Sequence, residues 1–142
     1  MAPPARILIA EDDDLTLELL ATVLRGEHFE VVTASDGREA LDRLREQAFD
    51  LVLSDIQMTR ASGLEVLATV VKEQPDTPVV LITAYAEPGG AMDAIGDGAA
   101  DYLAKPVDIA ALRRERPTLA TLENTLRRQD WSAAQFTARK AA

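Results

Sequence analysis

Apolar runs that end abruptly on polar residues set the rhythm of this chain. Ile7-Leu8-Ile9-Ala10 stops at Glu11, and Leu51-Val52-Leu53 passes through Ser54 to Asp55. Val79 to Ile82 stops at Thr83, and Asp101 to Ala104 stops at Lys105. Runs of this length without alternation suit strands buried on both faces of a parallel sheet. A further short strand is expected from Glu30 to Thr33. Between the strands the apolar spacing becomes helical. Leu15, Leu19, Leu20, Val23 and Leu24 mark a first helix, capped by Asp13 or Asp14 and closed by Gly26. Ser35-Asp36-Gly37 turns into a second, with Ala40, Leu41 and Leu44 inward. After a loop closing at Gly63, Leu64, Leu67, Val70 and Val71 mark a third, which Pro75 and Pro78 stop. A fourth helix, about 91 to 97, is poorly hydrophobic and ends at Gly98. A fifth begins near Asp108, and Pro117 either ends it or kinks it. Strand and helix alternate throughout, so the fold class is α/β, a doubly wound parallel sheet.

Composition narrows the class. Apolar residues make up 47% of 142 residues, enough for a core, and with few aromatics that core is aliphatic. The chain has no cysteine, which excludes disulfides and thiolate metal sites. MAPPAR leads straight into a strand without a secretory apolar region, and no run approaches the roughly 18 residues of a membrane helix, so a soluble cytoplasmic protein is expected. Charge is uneven. Residues 1–112 hold 8 Lys/Arg against 21 Asp/Glu, and residues 113–142 hold 7 against 3, giving −13 and +4. An acidic body argues against direct nucleic-acid binding, where phosphate contacts dominate affinity.

In a parallel sheet the carboxyl ends of the strands collect at one edge, where ligands bind. That edge would gather Glu11 and Asp12, Asp55, Thr83 and Lys105. A lone strand-end Asp is commonly a turn residue, but this set combines chemically. Clustered carboxylates repel unless a cation sits among them, and Mg²⁺ is held by one or two carboxylates while keeping several waters. Such an ion would bridge a phosphoryl group to an Asp nucleophile, with Lys105 and Thr83 taking other phosphoryl oxygens.

The pieces ILIAEDD, LVLSDIQM, VVLITAY and ADYLAKP resemble the receiver domain of two-component response regulators, over about Ile7 to Leu112 or further. The resemblance implies a (βα)5 sandwich with a five-stranded parallel sheet in the flavodoxin-like order 2-1-3-4-5. It implies a receiver domain over residues 5–116 and a helical extension or linker over 117–142. It implies that Asp55 accepts a phosphoryl group from a sensor histidine kinase or phosphotransfer protein. Glu11, Asp12, Asp55 and the backbone carbonyl of Gln57 would hold Mg²⁺, and Lys105 would pair with the acyl phosphate. Thr83 and Tyr102 would be the switch residues, biasing a surface made by the fourth helix, fifth strand and fifth helix, through which a homodimer is expected. The wording of LITAY and DYLAKP leans toward receivers of the NtrC-like type, which feed a fused output domain; a fragment of such a protein and a single-domain regulator both stay open. A signalling domain rather than an enzyme with turnover is implied.

The chain departs from the family pattern in places. Glu11 stands where Asp is commoner, which leaves direct and water-mediated Mg²⁺ binding both open. Thr59 replaces a frequent proline, so the loop is expected to be looser. Gln57 and Tyr85 flank the path of an attacking water, and bulky Tyr85 is expected to slow hydrolysis; a half-life of only seconds for the phosphorylated protein, free of phosphatase, contradicts this. Two alternatives stand beside the main reading. An Asp-nucleophile, Mg²⁺-dependent phosphatase usually places a second Asp two residues after the first, where this chain has Gln57; sustained release from p-nitrophenyl phosphate would favour it. The other is a receiver-like interaction domain not controlled by phosphorylation, against which the complete polar set argues.

Overall fold

A computed structural model describes residues 4–26, 28–83, 98–99 and 101–104, with 83 and 101–104 described as backbone only. Five strands and three helices lie within them: β1 (Arg6–Ala10), α1 (Asp14–Gly26), β2 (Glu30–Ala34), α2 (Gly37–Glu46), β3 (Leu51–Asp55), α3 (Gly63–Glu73), β4 (Val79–Thr83) and β5 (Asp101–Ala104). The helices expected at about 91–97 and from Asp108, and the extension over 117–142, lie outside the described residues.

The strands form one sheet in the order β2-β1-β3-β4-β5, and every pairing is parallel. This is the doubly wound, flavodoxin-like order expected. Successive side chains of a strand point to opposite faces, which explains why the strand runs are continuously apolar. Ile7, Ile9, Leu51, Leu53, Val80 and Ile82 pack on one face against Leu20, Val23 and Leu24 of α1. Leu8, Ala10, Val52, Val79 and Leu81 pack on the other against Ala40 and Leu44 of α2 and Val66, Leu67 and Val70 of α3. All five residues of β3 are buried. Fully burying one such aliphatic side chain contributes about 1.5–3 kcal/mol, so β3 is a firmly held place to hang a functional group.

Helix ends follow local chemistry. Asp13, not Asp14, caps α1, accepting from the Thr16 amide at 3.1 Å and from the Thr16 hydroxyl. Asp36 caps α2 through the Glu39 amide at 2.7 Å. Ser62 and Glu65 form a reciprocal capping box at α3, so Gly63, expected to close the loop, is instead the first residue of the helix. Gly26 is likewise the last residue of α1, and the left-handed residue after it is exposed His28, with φ +71°.

Not every apolar helical position reaches the sheet. Leu15, Leu19, Leu64 and Val71 are exposed, Leu15 by 69%. At 3.6 residues per turn, Leu19 and Leu15 sit roughly 120° and 160° from the centre of the buried arc of Leu20, Ala21, Val23 and Leu24. Counting apolar residues marked the helices; the angle decides which of them reach the sheet.

Candidate functional site

The site is positioned by a topological fact. The chain begins mid-sheet, goes outward from β1 to β2, then returns to the other side of β1 as β3. The reversal makes the carboxyl ends of β1 and β3 a topological switch point, the place where α/β sheets bind ligands. In register, Ala10 pairs with Ser54, so Glu11 and Asp55 emerge side by side.

The acidic run after β1 divides its labour. Asp13 is committed to the cap and Asp14 to the first turn of α1, where negative charge favours the helix dipole. Glu11, fixed by its amide on the Ala34 carbonyl at 3.0 Å, is fully buried, while Asp12 is exposed. One carboxylate oxygen from each of Glu11, Asp12 and Asp55 lies within 4.8 Å of the other two. Asp55 is itself only 4% exposed. Three carboxylates this close, two of them buried, form a hard, oxygen-only donor set whose mutual repulsion is relieved by a divalent cation. The chemistry of the donor set therefore fits Mg²⁺.

Asp55 is held from several directions. Its Oδ1 accepts from the Gln57 amide at 3.2 Å, and its carbonyl accepts from the buried Ser54 hydroxyl at 3.0 Å. Ile56 donates to the Ile82 carbonyl at 2.9 Å, and the Gly63 amide returns to the Ile56 carbonyl at 2.8 Å. Gly63 is required here because a Cβ would lie 2.1 Å from the Asp55 carbonyl oxygen. In the sequence Gly63 stands only as a loop-closing glycine eight residues after a strand-end acid.

The remaining expected residues fall into two groups. Gln57 lies two residues beyond Asp55, its side chain exposed and its amide on the Asp55 carboxylate. Asp55 pairs with Ile82 and Thr83 with Ala104, so Thr83 lies at the same edge, one residue beyond Asp55 on the neighbouring strand. Tyr102 sits in β5 opposite Leu81. Tyr85 and Lys105 lie outside the described residues, although Lys105 directly follows the last residue of β5. The loop expected to be looser for its Thr59 is tied down: the Thr59 carbonyl accepts from the amides of Ala61 at 2.9 Å and Gly37 at 3.2 Å.

Comparison with known proteins gives this edge its context. The family model for the response regulator receiver domain matches residues 7–116. The chain belongs to the response regulator receiver family. The transcriptional regulatory protein ZraR of Escherichia coli (strain K12) is 40% identical over 120 residues, covering 84% of this chain and 26% of that protein. The chain thus spans about a quarter of the length of that relative. Among solved structures, the CheY-like receiver domain protein of Methanospirillum hungatei superposes with a TM-score of 0.80 at 29% identity, covering 89% of this chain and 97% of that one. The response regulator TrrA of Thermotoga maritima, solved in complex with Mg²⁺ and BeF, gives 0.68 at 33% identity, covering 81% and 98%. This receiver is a phosphorylation-activated signalling domain of the two-component type. No helix among the described residues is long and apolar enough to cross a membrane.

Proposed function

We propose that Asp55 is the phosphoacceptor of this receiver and that Glu11, Asp12, Asp55 and the backbone carbonyl of Gln57 hold Mg²⁺ beside it. The observation that carries this reading is the convergence of three carboxylates within 4.8 Å at the carboxyl ends of β1 and β3. Mg²⁺, when bound there, neutralises charge on the phosphoryl oxygens.

The chain's own part is positional. β3 presents a buried carboxylate whose orientation is set by the Gln57 amide, so the nucleophile needs no reorganisation before attack. An Asp55 oxygen forms the bond to phosphorus as the donor's phosphorus–nitrogen bond breaks, and the histidine of a sensor kinase or phosphotransfer protein leaves. Lys105, following β5, supplies a cation for the acyl phosphate, and Thr83 a hydroxyl for another phosphoryl oxygen. The new charge biases an existing equilibrium through Thr83 and Tyr102. The surface that changes is the fourth helix, fifth strand and fifth helix, which supports homodimerisation or contact with an output domain of the NtrC-like type. Gln57 and Tyr85 set the lifetime of the phosphorylated state, and turnover is confined to the domain's own phosphorylation and dephosphorylation. A cytoplasmic location is part of the same reading.

Location of the phosphoryl group tests this. After exposure to acetyl phosphate and Mg²⁺, borohydride reduction is expected to convert residue 55 alone to homoserine, read by peptide mass spectrometry. Reduction at any other carboxylate, or at none, overturns the assignment.

A further inference from the structure

The loop that carries Asp55 into α3 is strained at its tip, and an element outside the acidic cluster holds it. The Ala61 amide returns to the Thr59 carbonyl at 2.9 Å, closing a three-residue turn around Arg60, whose φ is +72°. A non-glycine residue persists in that conformation only where its surroundings over-determine it. The determinant is the amino end of α2. Gly37 donates its amide to the same Thr59 carbonyl at 3.2 Å, and a Cβ on Gly37 would stand 1.9 Å from the Ala61 carbonyl oxygen. Only glycine allows this approach. Asp36, which caps α2, also faces Arg60 at 3.9 Å. The Arg60 side chain is 71% exposed, so that ion pair contributes little, and the backbone contact carries the restraint.

We infer that Gly37 is a positioning residue for the acidic site: the amino end of α2 clamps the strained turn at Arg60 and so fixes the intervening backbone, Gln57 included. The inference rests on the reading of Asp55 and the Gln57 carbonyl as Mg²⁺ ligands. With Asp55 anchored in β3 and the tip anchored on α2, the segment between them has little freedom. Loosening the tip weakens the metal site without removing a single ligand.

The test uses the whole chain. Gly37→Ala is expected to speed amide hydrogen exchange across residues 56–61 about tenfold, with β1 and β4 amides unchanged. Its calorimetric Mg²⁺ affinity falls about tenfold, the usual scale for lost outer support of metal ligands. Saturating Mg²⁺ restores the parental rate of phosphorylation by acetyl phosphate, which separates positioning from general damage. A folded Gly37→Ala protein with parental affinity and exchange overturns the inference, as does a fall in the saturating rate at parental affinity. If Gly37→Ala does not fold, Asp36→Ala and Asp36→Asn decide. Both remove one negative charge, but only alanine removes the cap, so only alanine loosens residues 56–61 and weakens Mg²⁺ binding. Equal behaviour of the two overturns the clamp. A parent that takes up neither Mg²⁺ nor a phosphoryl group overturns the phosphoacceptor reading and the clamp together; a parent that takes up both while the variants match it overturns the clamp alone.

Discussion

Asp55→Asn is expected to abolish phosphoryl uptake and yet to give a slightly more stable protein in Mg²⁺-free, low-salt buffer, by about 1 kcal/mol. The two effects share a cause. Asparagine keeps the shape of the side chain and an oxygen for the Gln57 amide, so the local hydrogen bond at 3.2 Å survives. It removes one of three carboxylates lying within 4.8 Å of one another. Unit charges at that distance repel by a few kcal/mol at an effective dielectric near 20, and solvent at exposed Asp12 reduces this to about 1 kcal/mol. Adding Mg²⁺ reverses the order. The parent gains stability as RT ln(1 + [Mg²⁺]/Kd), while the variant, with a ligand lost, gains much less. Urea titrations with and without Mg²⁺ check this. A variant less stable than the parent without Mg²⁺, with the same Mg²⁺-dependent gain, contradicts it.

Gly63→Ala is expected to cost about 1–3 kcal/mol, a loss tied to overpacking at one place. Helix propensity alone gives the opposite sign, since alanine exceeds glycine by about 1 kcal/mol within a helix. Packing decides. The added Cβ would meet the Asp55 carbonyl oxygen at 2.1 Å and the Ile56 Cα at 2.8 Å, both backbone atoms. Neither side can yield cheaply. β3 is buried along its length and paired to Ile82 through Asp55, while α3 is pinned by buried Val66, Leu67 and Val70 and by its capping box. Overpacking costs about 1–3 kcal/mol, and displacement also weakens the bond from the Gly63 amide to Ile56, worth about 1 kcal/mol. The urea midpoint should fall with an unchanged slope. A variant as stable as the parent rules out the close approach.

How much of this was legible beforehand depends on the kind of information. Strand positions and fold class were readable because a sheet covered on both faces forces uninterrupted apolar runs, as in Ile7 to Ala10 and Leu51 to Leu53. Glu11, Asp12 and Asp55 were readable as a group because each follows the end of such a run, and strand ends share an edge. Exposure of Leu15 and Leu19 was not, because the number of leucines carries no angle. Division of the acids after Ala10 was not either; whether Asp13 or Asp14 caps α1 depends on backbone geometry. The glycines were least legible. Gly37 and Gly63 matter through atoms brought close from elsewhere, the Ala61 carbonyl and the Asp55 carbonyl, and such approaches exist only once the chain has folded. The contact at Thr59 is of the same kind, its carbonyl being held by the Gly37 amide.

The central claim is that Asp55, with a divalent cation held by its acidic neighbours, takes a covalent phosphoryl group. Intact-mass spectrometry after acetyl phosphate treatment tests it most directly, comparing the parent with and without Mg²⁺ and the Asp55→Asn variant with it. The parent should gain the mass of one phosphoryl group only when Mg²⁺ is present, and the variant should gain nothing; an equal gain in the variant, or an equal gain in the parent without Mg²⁺, would contradict the account.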